Sequence, residues 1–410
     1  MVPRALAVRV LTRVLSDKEP LDRALAAVMG EVPSGQRSWL QEVCSGTLRW
    51  KGRLDFVIDA NSLKKKPSGW LRKVLLIAAY QLIAQERTSP GAVVSETVNE
   101  IKSREGAAPA GFANALLRKI ADHAVEWRNL PLASNASLSD AAQWASMPEW
   151  LWKRLVNQYG LEWARAYALA SLERPVVWAR AKRGDWVPEW GEPGPVAGAW
   201  RVKESGAIQD KLGFGEGEFI IQDISSQRLI EDVTEKVKLI GASKTALDLC
   251  AAPGGKSVGM SWKGFDVTAS DLDGPRIELL ANTVRRVGPG IRIVPSSGLA
   301  KDVFDLVWVD APCSGTGIIR RHPDIRWLRQ EKELAALIWS QRELLHTGWE
   351  RVREGGYLVY SVCSILKEEG PEAIETAHMG KPIHEWFLCP QDEPHGDGFW
   401  AALFRKSPNV

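Results

Sequence analysis

A chain of 410 residues is too long for one typical hydrophobic core, so two or three domains are expected. Its 45% hydrophobic and 25% charged residues are typical of globular proteins and exclude bulk disorder, and a net charge of +3 permits a nucleic-acid partner without indicating one. The five cysteines include no CxxC pair, which argues against a disulfide framework or a zinc site, and no stretch approaches the roughly 20 apolar residues of a membrane span.

The amino-terminal region is predicted to be a compact helical domain. From Arg4 to about Arg128, apolar residues recur at helical spacing, as in "WLRKVLLIAAYQLIA" and "GFANALLRKIADHAVEW". Five to eight helices would form a domain at residues 1–130. The polar stretch "LPLASNASLSD" that follows indicates a linker.

A small α+β subdomain is predicted at residues 141–219. "EWLWKRLVNQYGLEWARAYALASLER" predicts two helices separated at a Tyr-Gly break. "PVVWARAKR", "GAWRVKE" and "GAIQD" follow as short strands between Gly/Pro turns.

Residues 220–410 alternate strand and helix patterns. Five strands are predicted at "TALDLC", "VTASDLD", "IRIVPSS", "FDLVWVDAPC" and "YLVYSVCS". The helices between them include a long one from about Lys332 to Arg353, with a glycine cap at Gly355-Gly356. This alternation predicts a doubly wound, mostly parallel, Rossmann-like sheet.

The turn "LDLCAAPGGKS" follows the first of these strands and indicates a ligand site. It has neither the GxGxxG spacing of a dinucleotide fold nor the GxxxxGK[ST] of a phosphate loop. Asp271, at the end of the second strand, lies where a carboxylate can accept hydrogen bonds from ribose hydroxyls. A nucleoside-bearing cofactor without a phosphate chain fits best, and S-adenosylmethionine is the commonest. The alternative is a tight helix-start loop that binds nothing.

Two cysteines stand at the ends of the last two parallel strands. Cys313 follows a proline after strand four, and Cys363 follows strand five. A lone cysteine at a strand end is usually a packing residue, but the carboxyl ends of neighbouring strands face one crevice. The pair therefore favours catalysis, and position alone leaves open which thiol is the nucleophile.

A basic segment, "GIIRRHPDIRWLRQ", lies just past Cys313. Arginines beside an aromatic ring suit phosphate contact and base stacking, so an RNA contact is predicted there. The residues concerned are Arg320, Arg321, Arg326 and Trp327. The alternative is a solvated surface loop.

With these segments in view, the chain resembles the RNA cytosine-5 methyltransferases of the Sun type, and most closely the bacterial small-subunit ribosomal RNA enzymes with a NusB-like amino-terminal domain. The resemblance rests on "LDLCAAPGGKS", "VDAPCSGTG", "RRHPDIRW", "LVYSVCS" and "GDGFWAALFRK" in order, and on "GTLRWKGRLDFVIDA" and "GFANALLRKI" in the helical region. It spans nearly the whole chain.

The resemblance implies a role for each matched residue. The cofactor loop falls on Cys250, Ala251, Ala252, Pro253, Gly254, Gly255 and Lys256. The ribose-binding acid falls on Asp271 and the acid of strand four on Asp310. The nucleophile falls on Cys363, and Cys313 is the second cysteine, which assists product release.

The chain departs from the family at two positions. Ser297 stands where the family has an acid that contacts the adenine, although its hydroxyl can still hydrogen-bond to the adenine edge. Val362 replaces the usual threonine before the nucleophile, which removes a hydroxyl without touching the thiol.

The leading hypothesis is therefore an enzyme that uses S-adenosylmethionine to methylate C5 of an RNA cytosine through a covalent cysteine–C6 adduct. One alternative is a non-catalytic RNA-binding or assembly factor with a degenerate methyltransferase fold, which Ser297 and Val362 favour. Another is a DNA cytosine methyltransferase, which the second cysteine disfavours. RNA, most plausibly small-subunit ribosomal RNA, is the expected partner. We also expect a cytoplasmic monomer without metal or membrane contact.

Overall fold

The computed structural model describes residues 3–62, 66–85, 88–203, 206–237, 244–287, 290–392 and 395–407. Its helices, in chain order, are α1 (Pro3–Leu15), α2 (Leu21–Met29), α3 (Arg37–Ala60), α4 (Gly69–Ala84), α5 (Pro90–Glu105), α6 (Ala107–Asp122), α7 (Ala124–Arg128), α8 (Leu138–Trp144), α9 (Glu149–Tyr159), α10 (Leu161–Leu172), α11 (Ile224–Lys236), α12 (Gly255–Trp262), α13 (Pro275–Val287), α14 (Ile325–Leu328), α15 (Leu334–Glu350) and α16 (Pro371–Thr376). Its strands are β1 (Trp178–Ala181), β2 (Gly191–Pro193), β3 (Ala199–Val202), β4 (Phe219–Ile221), β5 (Thr245–Asp248), β6 (Asp266–Asp271), β7 (Arg292–Pro295), β8 (Phe304–Asp310), β9 (Val352–Val362), β10 (His384–Leu388) and β11 (Phe399–Arg405).

The chain divides into two compact units. The helical unit contains Met1–Arg174 and the segment Ile319–Glu331, and the sheet unit contains Pro175–Ile318 and Lys332–Val410. This division differs from the three predicted domains. The helices of the predicted middle subdomain belong to the helical unit, whereas its strands belong to the sheet unit.

Helix α4 forms the centre of the helical unit. Every residue from Val74 to Ile83 is buried, which is the pattern of a helix packed on all sides. Helix α3 approaches it closely at Gly46, where a Cβ would lie only 1.9 Å from Cζ of Tyr80. The described part of residues 1–130 contains seven helices, α1 to α7, where five to eight were predicted. No helix in the described ranges is long and apolar enough to cross a membrane.

The middle region agrees with the sequence in part. Helix α9 ends at Tyr159 and α10 begins at Leu161, with the intervening Gly160 in a left-handed conformation at φ +84°. Strands β1 and β3 form where they were predicted, but "GAIQD" contains a 3-10 turn, Ile208–Asp210, instead of a strand. The four strands form an antiparallel sheet in the order β2-β3-β1-β4.

A seven-stranded sheet confirms the predicted Rossmann-like architecture. Its order is β10-β11-β9-β8-β5-β6-β7, in which the five strands from β9 to β7 are parallel and β10 and β11 are antiparallel. Alternate residues of β8 enter two different hydrophobic cores: Leu306 and Trp308 lie in one, and Val307 and Val309 in the other. Both faces of the sheet are therefore covered, as expected for parallel strands.

The carboxyl ends of the parallel strands bring the site residues to one edge. Strands β5, β6 and β8 end at Asp248, Asp271 and Asp310, and β9 ends directly before Cys363. The predicted glycine cap of the long helix is wrong. Helix α15 ends at Glu350, and Gly355, with φ +76°, lies inside β9, which pairs irregularly with β8 near its start.

Candidate active site

Two thiols face each other at the carboxyl ends of β8 and β9. The Sγ atoms of Cys313 and Cys363 are 3.2 Å apart, and both cysteines are free and half-buried. The pKa of the Cys313 thiol is raised well above its usual range, first by its hydrogen bond with Cys363 and then by burial. Either sulfur can be the donor in this contact, and the contact and burial together disfavour the thiolate form of Cys313.

A lysine–aspartate pair borders the thiols. Lys256 Nζ lies 2.6 Å from Oδ2 of Asp310, and Ser361 Oγ donates to Oδ1 of the same carboxylate at 2.6 Å. Ser361 in turn accepts a hydrogen bond from the buried indole N–H of Trp308 at 3.0 Å. The Asp310 carboxylate is thereby held by one cation and one hydroxyl at the end of its strand.

The turn predicted to bind a cofactor wraps around the end of β6. The backbone N–H groups of Cys250 and Ala251 both donate to the carbonyl of Ser270. Gly254 has φ +108°, a left-handed conformation that favours glycine, and directly precedes α12. Burial, together with nearby carboxylates, raises the pKa of the Cys250 thiol to about 12, so its sulfur is unreactive and the backbone of this residue forms the turn.

Asp271 is buried at the end of β6 with both carboxylate oxygens engaged. Ala252 N–H donates to Oδ2 at 2.8 Å and Leu272 N–H to Oδ1 at 2.7 Å. Arg276, on α13, pairs with both oxygens, and its own side chain is 50% exposed. Ser297 follows β7 at the same edge of the sheet and is exposed.

A second carboxylate lies deeper beneath the turn. Asp248 is fully buried, and Ser257 Oγ donates to its Oδ2 at 2.5 Å. Burial raises the pKa of Asp248 to about 7, and the neighbouring Asp310 adds to that effect. Among the described residues, no cluster of His, Cys, Asp and Glu could hold a metal ion.

The donor set at this edge fits a neutral nucleoside ligand with a cationic sulfonium. Asp271 and Asp310 offer carboxylate oxygens for hydroxyl and cationic groups, and the glycine turn brings backbone close to them. Gln222, just before α11, supports this turn by donating from Nε2 to the carbonyl of Gly255 at 2.9 Å. The predicted cofactor residues are thus brought together, with Ser297 at the exposed margin.

The basic segment is placed differently from the sequence prediction. Arg326 is 1% exposed in the helical unit and donates to the carbonyls of Ser146 at 2.9 Å and Ser171 at 2.6 Å. Burial lowers its pKa to about 9. These bonds use the guanidinium to anchor the segment, so the structure does not support direct phosphate contact by Arg326.

Its neighbours are similarly engaged. Arg320 is 3% exposed, and its carbonyl accepts a hydrogen bond from Arg49 at 2.9 Å. Trp327 donates from its indole to the carbonyl of Leu48 at 2.8 Å. Arg321 and Trp327 are the partly exposed members of the set.

Three residues that contact the site residues or their loops were not predicted from the sequence. Ser361 and Arg276 hold Asp310 and Asp271, and the buried Glu369 accepts hydrogen bonds from the loop of each active-site cysteine. The only signal for them was proximity: Glu369 lies six positions after Cys363, and Ser361 two before it. Neither hydrophobic periodicity nor a short motif identifies such contacts.

Comparison with known proteins agrees with this geometry. The family model described as "16S rRNA methyltransferase RsmB/F" matches residues 240–404, and that of the NusB family matches residues 1–122. "Ribosomal RNA small subunit methyltransferase B" of Salmonella paratyphi A is 32% identical over 438 residues, with 98% of each chain covered. The protein of the same name from Salmonella arizonae has the same identity and coverage.

Solved structures share the fold. The crystal structure of PH0851 matches with a TM-score of 0.70 at 21% identity and covers 98% of both chains. NSun6 from Pyrococcus horikoshii, solved with SFG, matches with a TM-score of 0.54 at 16% identity, covering 64% of this chain and 99% of its own. Together with the two family matches and the curated relatives, the thiol pair at the edge of a Rossmann-like sheet leads to one conclusion. This chain belongs to the RsmB/F family of 16S rRNA methyltransferases and is an RNA methyltransferase with a NusB-family domain at its amino-terminal end.

Proposed function

We propose that the enzyme methylates C5 of a cytosine in small-subunit ribosomal RNA through a covalent adduct with Cys363. The observation that carries this proposal is the pair of thiols 3.2 Å apart beside the Lys256–Asp310 ion pair. RNA methylation in general follows from the family; the base, the ring position and the adduct are the proposal. The methyl donor is S-adenosylmethionine, which supplies an electrophilic methyl group when it is bound.

The chemistry explains why a thiol is needed. Cytosine C5 is too weakly nucleophilic to take a methyl group unaided. When the Cys363 thiolate adds to C6, C5 becomes enamine-like and can attack the methyl group, so one difficult step becomes two easier ones. Addition leaves negative charge at N3 and O2 of the ring, and the Lys256–Asp310 pair is the proposed group that shares a proton with it.

The charge of Lys256 supports Cys363 as the nucleophile. Lys256 interacts electrostatically with Cys363, and a nearby cation favours a thiolate.

Cys313 then serves product release. After methyl transfer a base removes the C5 proton, the C5–C6 double bond re-forms, and the Cys363–C6 bond breaks with its electrons on sulfur. The Cys313 thiol, already in contact with that sulfur, stabilises it by donating a hydrogen bond or its proton. Loss of Cys313 would leave the adduct without this donor.

The proposed cofactor-binding residues differ in the groups that they provide, either side-chain acceptors or backbone. Asp271 accepts the ribose hydroxyls once Arg276, which is half-exposed, turns away from it. The remaining members of the proposed set are Cys250, Ala251, Ala252, Pro253, Gly254, Gly255, Lys256, Ser297 and Asp310. In this set the backbone of the turn would hold the cofactor, and the Ser297 hydroxyl would hydrogen-bond to its adenine.

The RNA must present an accessible base. Attack on C6 requires the face of the ring, so the cytosine is single-stranded or flipped out of its helix. The helical unit is proposed to contact the surrounding RNA through backbone and shape. Within the basic segment, Arg321 replaces the buried arginines as the proposed phosphate contact.

Nucleoside analysis tests the proposal. Small-subunit ribosomal RNA, large-subunit ribosomal RNA and a DNA copy of the small-subunit sequence are incubated with the full chain and S-adenosylmethionine. After digestion, 5-methylcytidine is quantified by mass spectrometry. We expect it from the small-subunit RNA alone; a different methylated nucleoside, or methylated DNA, would refute the proposal. If neither product nor methyl-donor binding by calorimetry is seen, a non-catalytic assembly factor becomes the better account.

A further inference from the structure

Glu369 is a buried carboxylate to which the proposed mechanism gives no role. It ends the 3-10 turn Lys367–Glu369 and has no solvent exposure. Its Oε1 accepts hydrogen bonds from the backbone N–H of Ser314 at 2.7 Å and from Gln341 Nε2 at 3.1 Å. Its Oε2 accepts the hydroxyls of Ser314 and Ser364.

These contacts join the two cysteine loops. Ser314 directly follows Cys313, and Ser364 directly follows Cys363, so one carboxylate holds the residue after each thiol. Gln341, on α15, also donates to the carbonyl of Pro312 at 3.0 Å and so grips the first loop on the other side of Cys313.

A hydrogen bond to its backbone also holds Glu369 in place. The hydroxyl of Tyr360, on β9, donates to the backbone carbonyl of Glu369 at 2.7 Å. Thr316 and Ser364 add a direct hydroxyl–hydroxyl contact of 2.9 Å between the two loops. The carboxylate is thus at the centre of a buried network built on rigid strands and α15.

The donors around Glu369 are all uncharged. Four donors directed at the two oxygens match the acceptor capacity of an ionised carboxylate. None of its hydrogen-bond donors among the described residues is a cation, and its charge acts on the Cys313 thiol. The other groups that face Cys313 are the Cys363 sulfur, the Tyr360 phenol and the backbone N–H of Gly315, while Lys256 acts on Cys363.

We propose that Glu369 is a positioning residue that sets the spacing of the two cysteine loops and keeps the proton on Cys313, so that Cys363 acts as the nucleophile. The inference rests on the proposed cysteine mechanism and adds what distinguishes two otherwise similar thiols. According to this proposal, the negative charge of Glu369, and not only its packing, determines which of Cys313 and Cys363 is the nucleophile.

Isosteric neutralisation tests the charge. Glu369→Gln keeps the shape and an Oε1 acceptor but removes the charge, Glu369→Ala removes both, and Glu375→Gln on the exposed face of α16 is the matched control. In the full chain, iodoacetamide alkylation of Cys313 and Cys363 is followed across pH by mass spectrometry of each peptide. For Glu369→Gln we expect the reactivity of Cys313 to begin about one pH unit lower, with the control unchanged.

Steady-state methylation of small-subunit ribosomal RNA provides the second measurement. We expect kcat to fall about 10- to 100-fold in Glu369→Gln while the KM values for RNA and S-adenosylmethionine stay within about 2-fold, because the residue contacts the thiol loops and not the cofactor turn. If Glu369→Ala does not fold, Glu369→Gln alone decides. The inference is overturned if the pH at which Cys313 becomes reactive in Glu369→Gln is unchanged or higher, even if kcat has fallen. It is also overturned if the substitution changes KM and leaves kcat unchanged.

The two measurements keep this inference separate from the proposed function. Alkylation needs neither RNA nor methyl donor, so it decides the role of Glu369 even if the wild-type chain makes no 5-methylcytidine. In that case the proposed function fails, while a lowered Cys313 profile in Glu369→Gln would still establish the charge effect.

Discussion

At Lys256 two opposing effects act on the ammonium group. Burial disfavours its charge, but the Asp310 carboxylate 2.6 Å away outweighs burial, and the pKa of Lys256 is raised. The lysine therefore stays charged across the neutral range, between a carboxylate and the Cys363 sulfur. Its charge is the one that we propose acts on the Cys363 sulfur.

Replacing Lys256 by methionine keeps its length and removes its charge. We expect alkylation of Cys363 by iodoacetamide at neutral pH to slow about 10-fold, because a thiolate is the reactive form and has lost its cation. Lys236→Met, at an exposed position on α11, is the control. Equal Cys363 reactivity in wild type and Lys256→Met would mean that the lysine does not act on this thiol.

Asp248 provides a pH-dependent contribution to stability. Its pKa is about 7 when folded, against 3.8 ordinarily, because of burial. Between these values the folded chain holds a proton that the unfolded chain has released, so the free energy of unfolding falls as pH rises from about 4 to 7, by a total on the order of 4 kcal/mol. In Asp248→Asn this contribution to the slope of the unfolding free energy against pH should disappear.

Urea unfolding at several pH values measures that slope. Asp266→Asn, an exposed carboxylate at the start of β6, should leave it nearly as in wild type. An identical pH dependence in wild type and Asp248→Asn would show that Asp248 is ionised in the folded protein at pH 5 to 6.

At the scale of elements, the loops after β8 and β9 depend on close backbone contact. Gly317 N–H donates to the Cys363 carbonyl at 3.0 Å, and Gly398 N–H donates to the Gly317 carbonyl at 2.8 Å. A Cβ on Gly317 would lie 2.1 Å from the carbonyl oxygen of Gly398. The glycine therefore allows the segment before β11 to approach the nucleophile loop.

Gly317→Ala should disturb this contact. We expect a loss of about 1–3 kcal/mol in the free energy of unfolding, because backbone atoms must separate, together with a fall in kcat as the Cys363 loop shifts. Gly215→Ala, with no atom near its Cβ position, is the matched control. If thermal unfolding and kcat of Gly317→Ala equal those of the control, the contact does not position the loop.

The five parallel strands of the sheet could be predicted from their apolar runs, whereas the antiparallel edge strands β10 and β11 were not predicted. Strands β5, β6, β7, β8 and β9 coincide with apolar runs bounded by turns, and α9 and α10 are separated by Gly160 as expected. Short or irregular elements could not be predicted from the sequence. β2 and β4 have three residues each and form only by pairing with distant strands, and Gly355 marks an irregularity in β9 that resembles a helix end in sequence.

At the scale of the whole molecule, the segment Ile319–Glu331 leaves the sheet unit and packs in the helical unit before the chain returns at α15. A continuous sequence gives no sign of such a crossing. Arg320, Arg326 and Trp327 consequently resembled an exposed basic patch. In the structure Arg326 and Trp327 donate to backbone carbonyls of residues 1–174, and the Arg320 carbonyl accepts a hydrogen bond from Arg49. The cysteines, by contrast, could be placed correctly since strand order alone brings strand ends together.

Arg326→Met tests which role this arginine has. We expect about 2–4 kcal/mol less stability, because the buried carbonyls of Ser146 and Ser171 lose their donors, while the salt dependence of RNA binding does not change. If Arg326 contacts a phosphate, its replacement should instead reduce the magnitude of the slope of the logarithm of the RNA-binding constant against the logarithm of salt concentration by about 0.7–0.9. Arg118→Met, exposed on α6, controls for loss of a positive charge in the same unit. A reduced slope with unaltered stability would restore the RNA-binding interpretation of Arg326.

The most direct test of the account is to trap the cysteine adduct. Wild type, Cys363→Ala and Cys313→Ala are incubated with small-subunit ribosomal RNA and radiolabelled S-adenosylmethionine, and methylated RNA and denaturation-stable protein–RNA adduct are measured. We predict that Cys363→Ala gives neither, and that Cys313→Ala accumulates adduct because elimination stalls. Adduct in Cys363→Ala, or its absence in Cys313→Ala with product formation lost, would make Cys313 the nucleophile and contradict the account.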